Sequence, residues 1–213
     1  MSKVNEPAAQ YHSSPQKKVT LEAYLEMIAD GTRRLEYHDG VVVDIKSATE
    51  AHGLIIMNLS IFLGTCLLEK DCKLFSQDRE IWVSTCRKVY YPDLIMVCGE
   101  HRKKQMSKNV AATINPSVVI EVLSDSTEKY DTTKKSKCYK SLSSLKQIVL
   151  VRQDEKFVTI QELSEAINDW VIHEYSEDED ELKIGDCTLT LKDIYRRVEL
   201  FENAEQKSDD INS

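Results

Sequence analysis

Ser117-Val118-Val119-Ile120-Glu121-Val122-Leu123, in a chain of 213 residues, is a strand-length run that is apolar almost throughout. A run without polar alternation suits a β-strand covered on both faces. Glu121 interrupts it. A carboxylate in a buried strand is costly unless it is paired or bound to a cation. A second acid stands in similar company upstream, in Tyr91-Pro92-Asp93-Leu94-Ile95-Met96-Val97. If these two strands are neighbours, Asp93 and Glu121 converge and repel. A hard cation such as Mg²⁺ relieves that repulsion, takes oxygen ligands and keeps several waters. One of those waters is then a candidate nucleophile. The blander alternatives are that Asp93 ends a turn after Pro92 and that Glu121 pairs with a lysine.

Lysines follow directly. Lys129, Lys134, Lys135, Lys137 and Lys140 fall in or beside a helix expected over 131–142, with Asp131 as its N-cap. Asp131, Lys135 and Tyr139 recur at i, i+4 and i+8 and share a face. The cluster reads either as a solvated basic face or as a source of one inward lysine. In the second case Lys135 is the candidate, orienting water or offsetting charge on a phosphate.

Further outward, Thr20 is a plausible N-cap for a short helix carrying Leu21, Tyr24, Leu25 and Ile28, stopped at Gly31. Residues 34–38, Asp39-Gly40 and residues 41–45 make a hairpin signal. A helix is expected over 51–69, then strands at 73–77, 80–86, 92–98 and 117–123. Residues 99–115, with Arg102, Lys103, Lys104 and Lys108, read as a basic loop. Strands at 147–152, 157–163 and about 170–175 follow, then an acidic run at 177–181, the segment 182–191 and a final helix near Lys192. Residues 1–18 and 201–213 are polar and read as disordered tails around one domain spanning 19–200.

Taken together, Tyr91-Pro92-Asp93, Cys98-Gly99-Glu100, Asn115 to Ser124, Ser126-Thr127-Glu128, Asp131, Lys135 and Tyr139 resemble a bacterial family of restriction endonucleases in the PD-(D/E)XK nuclease superfamily. Glu36, Asp39-Gly40, His52, Asn58 and Leu59 also fit its pattern. The likeness implies an α/β fold with a PD-(D/E)XK (restriction-endonuclease-like) core, a mixed β-sheet flanked by helices. It implies a metal-dependent phosphodiesterase site with Mg²⁺, or Mn²⁺, on Asp93, Glu121 and a backbone carbonyl near Val122. Glu36 and Lys135 complete the implied catalytic set. The superfamily formula places lysine two residues after the glutamate, where this chain has Leu123, so the implied lysine lies on the next helix. Asp125 stands where the family often has proline.

The expected function is DNA hydrolysis, with a catalytically inactive binding module or a small-phosphoester hydrolase as alternatives. A homodimer is implied as well, since two sites cut a duplex most easily. His52, beside Glu50 at a helix start, reads as a capping or packing residue, with a general-base role conceivable. The run Glu177 to Glu181 reads as a solvated loop, because it lacks the glycine and alternation of a calcium loop.

No stretch approaches the roughly 18 apolar residues that span a membrane, and the first residues lack the apolar core of a signal peptide. Six irregularly spaced cysteines without a CxxC pair read as free thiols in a reducing cytoplasm. The net charge of -8 argues against a wholly basic nucleic-acid-binding surface. Its distribution weakens that objection. Residues 1–152 hold 22 Lys/Arg against 18 Asp/Glu, and residues 153–213 hold 6 against 18. The acidic part is expected to face away from the site or to restrain access to it.

Overall fold

A computed structural model describes residues 18–29, 33–44, 48–76, 79–123 and 131–200, with backbone alone at Asp131 and Thr132. The terminal tails, Gly31, Lys129 and the Ser124–Glu128 part of the motif lie outside the described residues.

Thr20 accepts a hydrogen bond from the Ala23 N–H and starts α1 (Leu21–Met27). The hairpin of β1 (Leu35–His38) and β2 (Val41–Asp44) turns at Asp39 and Gly40, with φ of 49° and 99°. Two positive φ values are what a tight two-residue hairpin turn needs, which explains the Asp-Gly pair. Thr49 caps α2 (Glu50–Cys66) by accepting from the His52 N–H.

Next come β3 (Cys72–Ser76), β4 (Ile81–Val83), β5 (Lys88–Tyr90), β6 (Leu94–Cys98), β7 (Lys103–Gln105), β8 (Ala111–Thr113) and β9 (Val118–Leu123). The single strand expected at 80–86 is thus the first arm of a hairpin, turned at Arg87 with φ of 52°. The expected basic loop at 99–115 contains a second hairpin, β7–β8, whose outer strand is exposed and polar and so carries little hydrophobic signal. The helix expected over 131–142 begins as a π-helical turn, Asp131–Lys135, and continues as α3 (Ser136–Tyr139). The chain ends with β10 (Gln147–Arg152), β11 (Val158–Ser164), β12 (Asp169–Tyr175), the hairpin β13 (Glu181–Ile184) and β14 (Cys187–Thr190), and α4 (Leu191–Ile194).

The strands form two six-stranded sheets. One runs β2-β1-β5-β4-β8-β7 and the other β12-β11-β10-β9-β6-β3, with β13–β14 as a separate pair. Both large sheets are mixed, since β4 pairs parallel to β8 and β9 parallel to β10. Three cores follow. Val118, Ile120 and Val122 face α2, α4 and the β13–β14 hairpin. Val119 and Leu123 point the other way, between the two sheets, with Ile81, Tyr90 and Ile95. Tyr24 and Leu25 of α1, with Ile28 just after it, cover the outer face of the first sheet. β9 is therefore buried on both faces, as an unbroken apolar run requires.

The cysteines correct the sequence reading. Cys66–Cys187, Cys72–Cys98 and Cys86–Cys138 are disulfides, and no free cysteine is left. Spacing along the chain conceals this, because the partners meet only through tertiary structure. Cys72 and Cys98, for example, are register partners on β3 and β6. The thiol argument for a reducing cytoplasm falls with it.

Candidate active site

The register Leu94↔Ile120 brings Asp93, one residue before β6, abreast of Glu121 on β9. The two anomalous acids thus lie on neighbouring strands. Glu36 arrives from the other sheet, where β1 pairs with β5. Lys135 reaches between them. Its Nζ lies 3.0 Å from Glu121 Oε1 and 3.3 Å from Glu36 Oε1, and 5.3 Å from the centre of the Tyr90 ring. All three charged residues are buried, Glu36 at 9%, Glu121 at 5% and Lys135 at 5% exposure. The acids need the lysine: an ammonium between two buried carboxylates offsets part of their desolvation cost.

The remaining contacts fix each acid. Glu36 Oε1 accepts from the Tyr91 N–H at 3.2 Å, and Oε2 lies 2.8 Å from His38 Nε2. Burial alone would push the Glu36 carboxyl up. Lys135, His38 and the Tyr91 N–H overcome it and bring its pKa to about 2, so Glu36 is ionised at neutral pH. The Tyr139 hydroxyl donates to Glu121 Oε1 at 2.7 Å. Burial, with the negative charge of Glu121 and Glu36, pushes that hydroxyl well above its ordinary pKa, so it stays a donor. Asp93 Oδ2 accepts from the Val122 N–H at 2.7 Å, and Oδ1 lies 3.0 Å from His52 Nε2.

All four predicted side chains are thereby placed in one neighbourhood: Glu36, Glu121 and Lys135 in direct contact, and Asp93 beside Glu121 through the strand register. Val122 enters through its amide. His52, expected to cap or pack, is not the cap: Thr49 caps α2. The His52 N–H is the one Thr49 caps, and the His52 ring meets Asp93. His38 is a member of the site that the sequence reading does not single out. Its signal is the Glu36-x-His38 spacing, which puts both side chains on one face of a strand. A depression of about 750 Å³ lies elsewhere, at the opposite strand ends near Ser117, Lys146 and His173.

The donor chemistry fits Mg²⁺. Asp93 and Glu121 would offer carboxylate oxygens and Val122 its carbonyl, and Mg²⁺ takes one or two carboxylates and keeps waters. Among the described residues, no three His, Cys, Asp or Glu side chains cluster closely enough to hold an ion by themselves. A cation here would therefore depend on the backbone and on water for the rest of its shell. Among the described residues, no helix is long and apolar enough to cross a membrane.

Two mixed sheets flanked by helices, with paired acids and a lysine at adjoining strand ends, define a restriction-endonuclease-like protein. Residues 21–193 match the Uma2 family, described as "Putative restriction endonuclease", and the chain belongs to it. It is 27% identical over 185 residues to an uncharacterized protein of Synechocystis sp., covering 86% of this chain and 95% of that one. A second uncharacterized protein of that organism is 29% identical over 137 residues, covering 64% and 76%. In structure the chain is similar to a putative nuclease from Anabaena variabilis, with a TM-score of 0.66 at 15% identity, covering 83% of this chain and 97% of that one. That likeness supports the fold, and the family match supports a nuclease-type function.

Proposed function

We propose that this protein is a Mg²⁺-dependent endonuclease that hydrolyses DNA phosphodiester bonds. The observation that carries the reading is the meeting of Glu36, Glu121 and Lys135 across two sheets, with Asp93 abreast of Glu121. In this reading the Asp93 and Glu121 carboxylates and the Val122 carbonyl would hold Mg²⁺, or Mn²⁺. A divalent ion supplies positive charge to a phosphate and makes water a better nucleophile at neutral pH.

The chain's own residues do the rest. The Val122 N–H and His52 orient Asp93, and the Tyr139 hydroxyl orients Glu121. Lys135 offers an ammonium to the charge that develops on the phosphate. Glu36, ionised through neutral pH, holds Lys135 in place. Substituting oriented groups for bulk water in this way is how a buried site lowers the cost of charge movement.

Conversion of supercoiled plasmid to nicked circles tests the proposal. Wild type should nick with Mg²⁺ or Mn²⁺, and Asp93→Asn and Glu121→Gln should each abolish it. Nicking that survives both changes would remove the site assignment.

One observation favours a second reading, a non-catalytic binding module: the buried charges already compensate one another through Lys135. Calorimetry separates the two. The module predicts no Mg²⁺ binding heat at millimolar concentration and no rise in melting temperature with Mg²⁺, whereas a native metal site raises it. A small-phosphoester hydrolase would use the same acids, and a substrate screen distinguishes it.

A further inference from the structure

A second group of charges lies at the far edge of the first sheet, on the row of strand partners that begins at Glu36. Extending the β1–β5 register by one residue sets Glu36 opposite Tyr90. Tyr90 pairs with Ile81, Ile81 with Thr113, and Thr113 with Lys103. Glu36 and Lys103 thus stand at two ends of one row across the first sheet. Four strand spacings of about 4.8 Å put them about 19 Å apart.

At the far end of that row His101 Nε2 lies 3.0 Å from Thr113 Oγ1, and the His101 ring lies 4.9 Å from the Phe75 ring. The Arg79 guanidinium covers Phe75 at 5.2 Å. Lys73, two residues before Phe75 on β3, projects from the same face of its strand. The loop is held firmly. Asn115 Oδ1 accepts from the Arg102 N–H, and Asn115 Nδ2 donates to the Glu100 carbonyl, both at 2.8 Å.

Among the described residues, none of Lys73, Arg79 and Lys103 has a carboxylate at ion-pair distance, and Arg79 Nε is buried without a hydrogen-bond partner. Glu80, next to Arg79, instead accepts from the Tyr91 hydroxyl at 3.2 Å. Burial, then Lys103, Arg79 and Lys73, lowers the pKa of His101. Three cationic side chains thus adjoin the His101–Thr113 pair and the Phe75 ring, and their potentials add.

We propose that Lys73, Arg79, His101 and Lys103, gathered around Phe75 and Thr113, form a phosphate-backbone subsite that holds a DNA strand about 19 Å from Glu36. At 3.4 Å per step, that span corresponds to between five and six base pairs from the point of cleavage. The identity of the ligand rests on the DNA reading above, while the anion-binding geometry is independent of catalysis.

The test is fluorescence anisotropy of a labelled 20-base-pair duplex with full-length protein in EDTA, across a NaCl series. Lys73 and Lys103 are both exposed, so Lys73→Gln/Lys103→Gln should keep the wild-type melting temperature. Its salt slope should fall by about 1.8, at about 0.9 for each phosphate no longer neutralised, with affinity at least about tenfold weaker at low salt. Arg79→Gln should weaken binding too. Lys156→Gln/Lys192→Gln, at the acidic end of the chain, should bind as wild type does. An unchanged slope for Lys73→Gln/Lys103→Gln overturns the subsite, even in an active nuclease. Loss of binding in that variant, with a wild type that binds but never nicks, supports the subsite and rejects the nuclease reading instead.

Discussion

Lys135 ties Glu36 of one sheet to Glu121 of the other, with Nζ–O distances of 3.3 and 3.0 Å. The contact is buried, so removing the lysine charge strands two carboxylates away from water. Lys135→Met, which keeps most of the volume, should destabilise the protein by about 3–5 kcal/mol at pH 7 in urea unfolding. Adding Glu36→Gln and Glu121→Gln should recover much of that loss. A triple variant as unstable as the single one would show that the cost lies in packing.

The acid limb of stability follows from Glu36. Its carboxyl titrates at about 2 in the folded protein, against 4.5 ordinarily. A lowered folded value means that the stabilisation is complete above pH 4.5 and is lost as pH falls from 4.5 through 2. The integrated effect is on the order of a few kcal/mol. Glu36→Gln should flatten this part of a melting-temperature profile taken from pH 5 to pH 2.5. An equally steep profile in the variant would place the acid sensitivity elsewhere.

How much of this is legible in the sequence differs between elements. Glu121 stands out because its strand neighbours are apolar, and Lys135 because it shares a helical face with Tyr139. Both inferences use local periodicity, which folding preserves. The β5, β7 and β8 strands escape notice because three-residue strands give periodicity little to act on. The disulfides and the His52–Asp93 contact depend on residues 26 to 121 positions apart in sequence. No local pattern encodes such meetings.

His52 orients Asp93 from the N-terminus of α2 while its own N–H is capped by Thr49. His52→Ala leaves the cap intact because the capping bond uses the backbone. Nicking at limiting Mg²⁺ should fall between about 10- and 100-fold, as for other groups that orient metal ligands. Saturating Mg²⁺ should recover part of the activity. A loss independent of Mg²⁺ concentration would argue for a different role.

Tyr139 supplies the hydroxyl donor to buried Glu121. Tyr139→Phe keeps the ring against Tyr90, whose centroid lies 5.1 Å away, and deletes one hydrogen bond. A cost of about 1–3 kcal/mol is expected from leaving an acceptor less satisfied. Chemical unfolding that shows no loss would mean that water replaces the hydroxyl.

Cys86–Cys138 joins the β4–β5 turn to the helix that carries Tyr139, and the other two disulfides anchor β3 and α2. Peptide mapping without reductant should recover all three pairs. Dithiothreitol should lower the melting temperature, with a typical contribution of about 2–4 kcal/mol for each bond. Alkylation of six thiols in native protein without reductant would contradict the pairing.

The most direct measurement is the single-turnover cleavage rate of an end-labelled DNA duplex by wild type and by Glu121→Gln, each in Mg²⁺ and in EDTA. Wild type should cleave in Mg²⁺ alone, and Glu121→Gln in neither condition. Cleavage by wild type in EDTA, or an undiminished rate for Glu121→Gln in Mg²⁺, would contradict the proposed function.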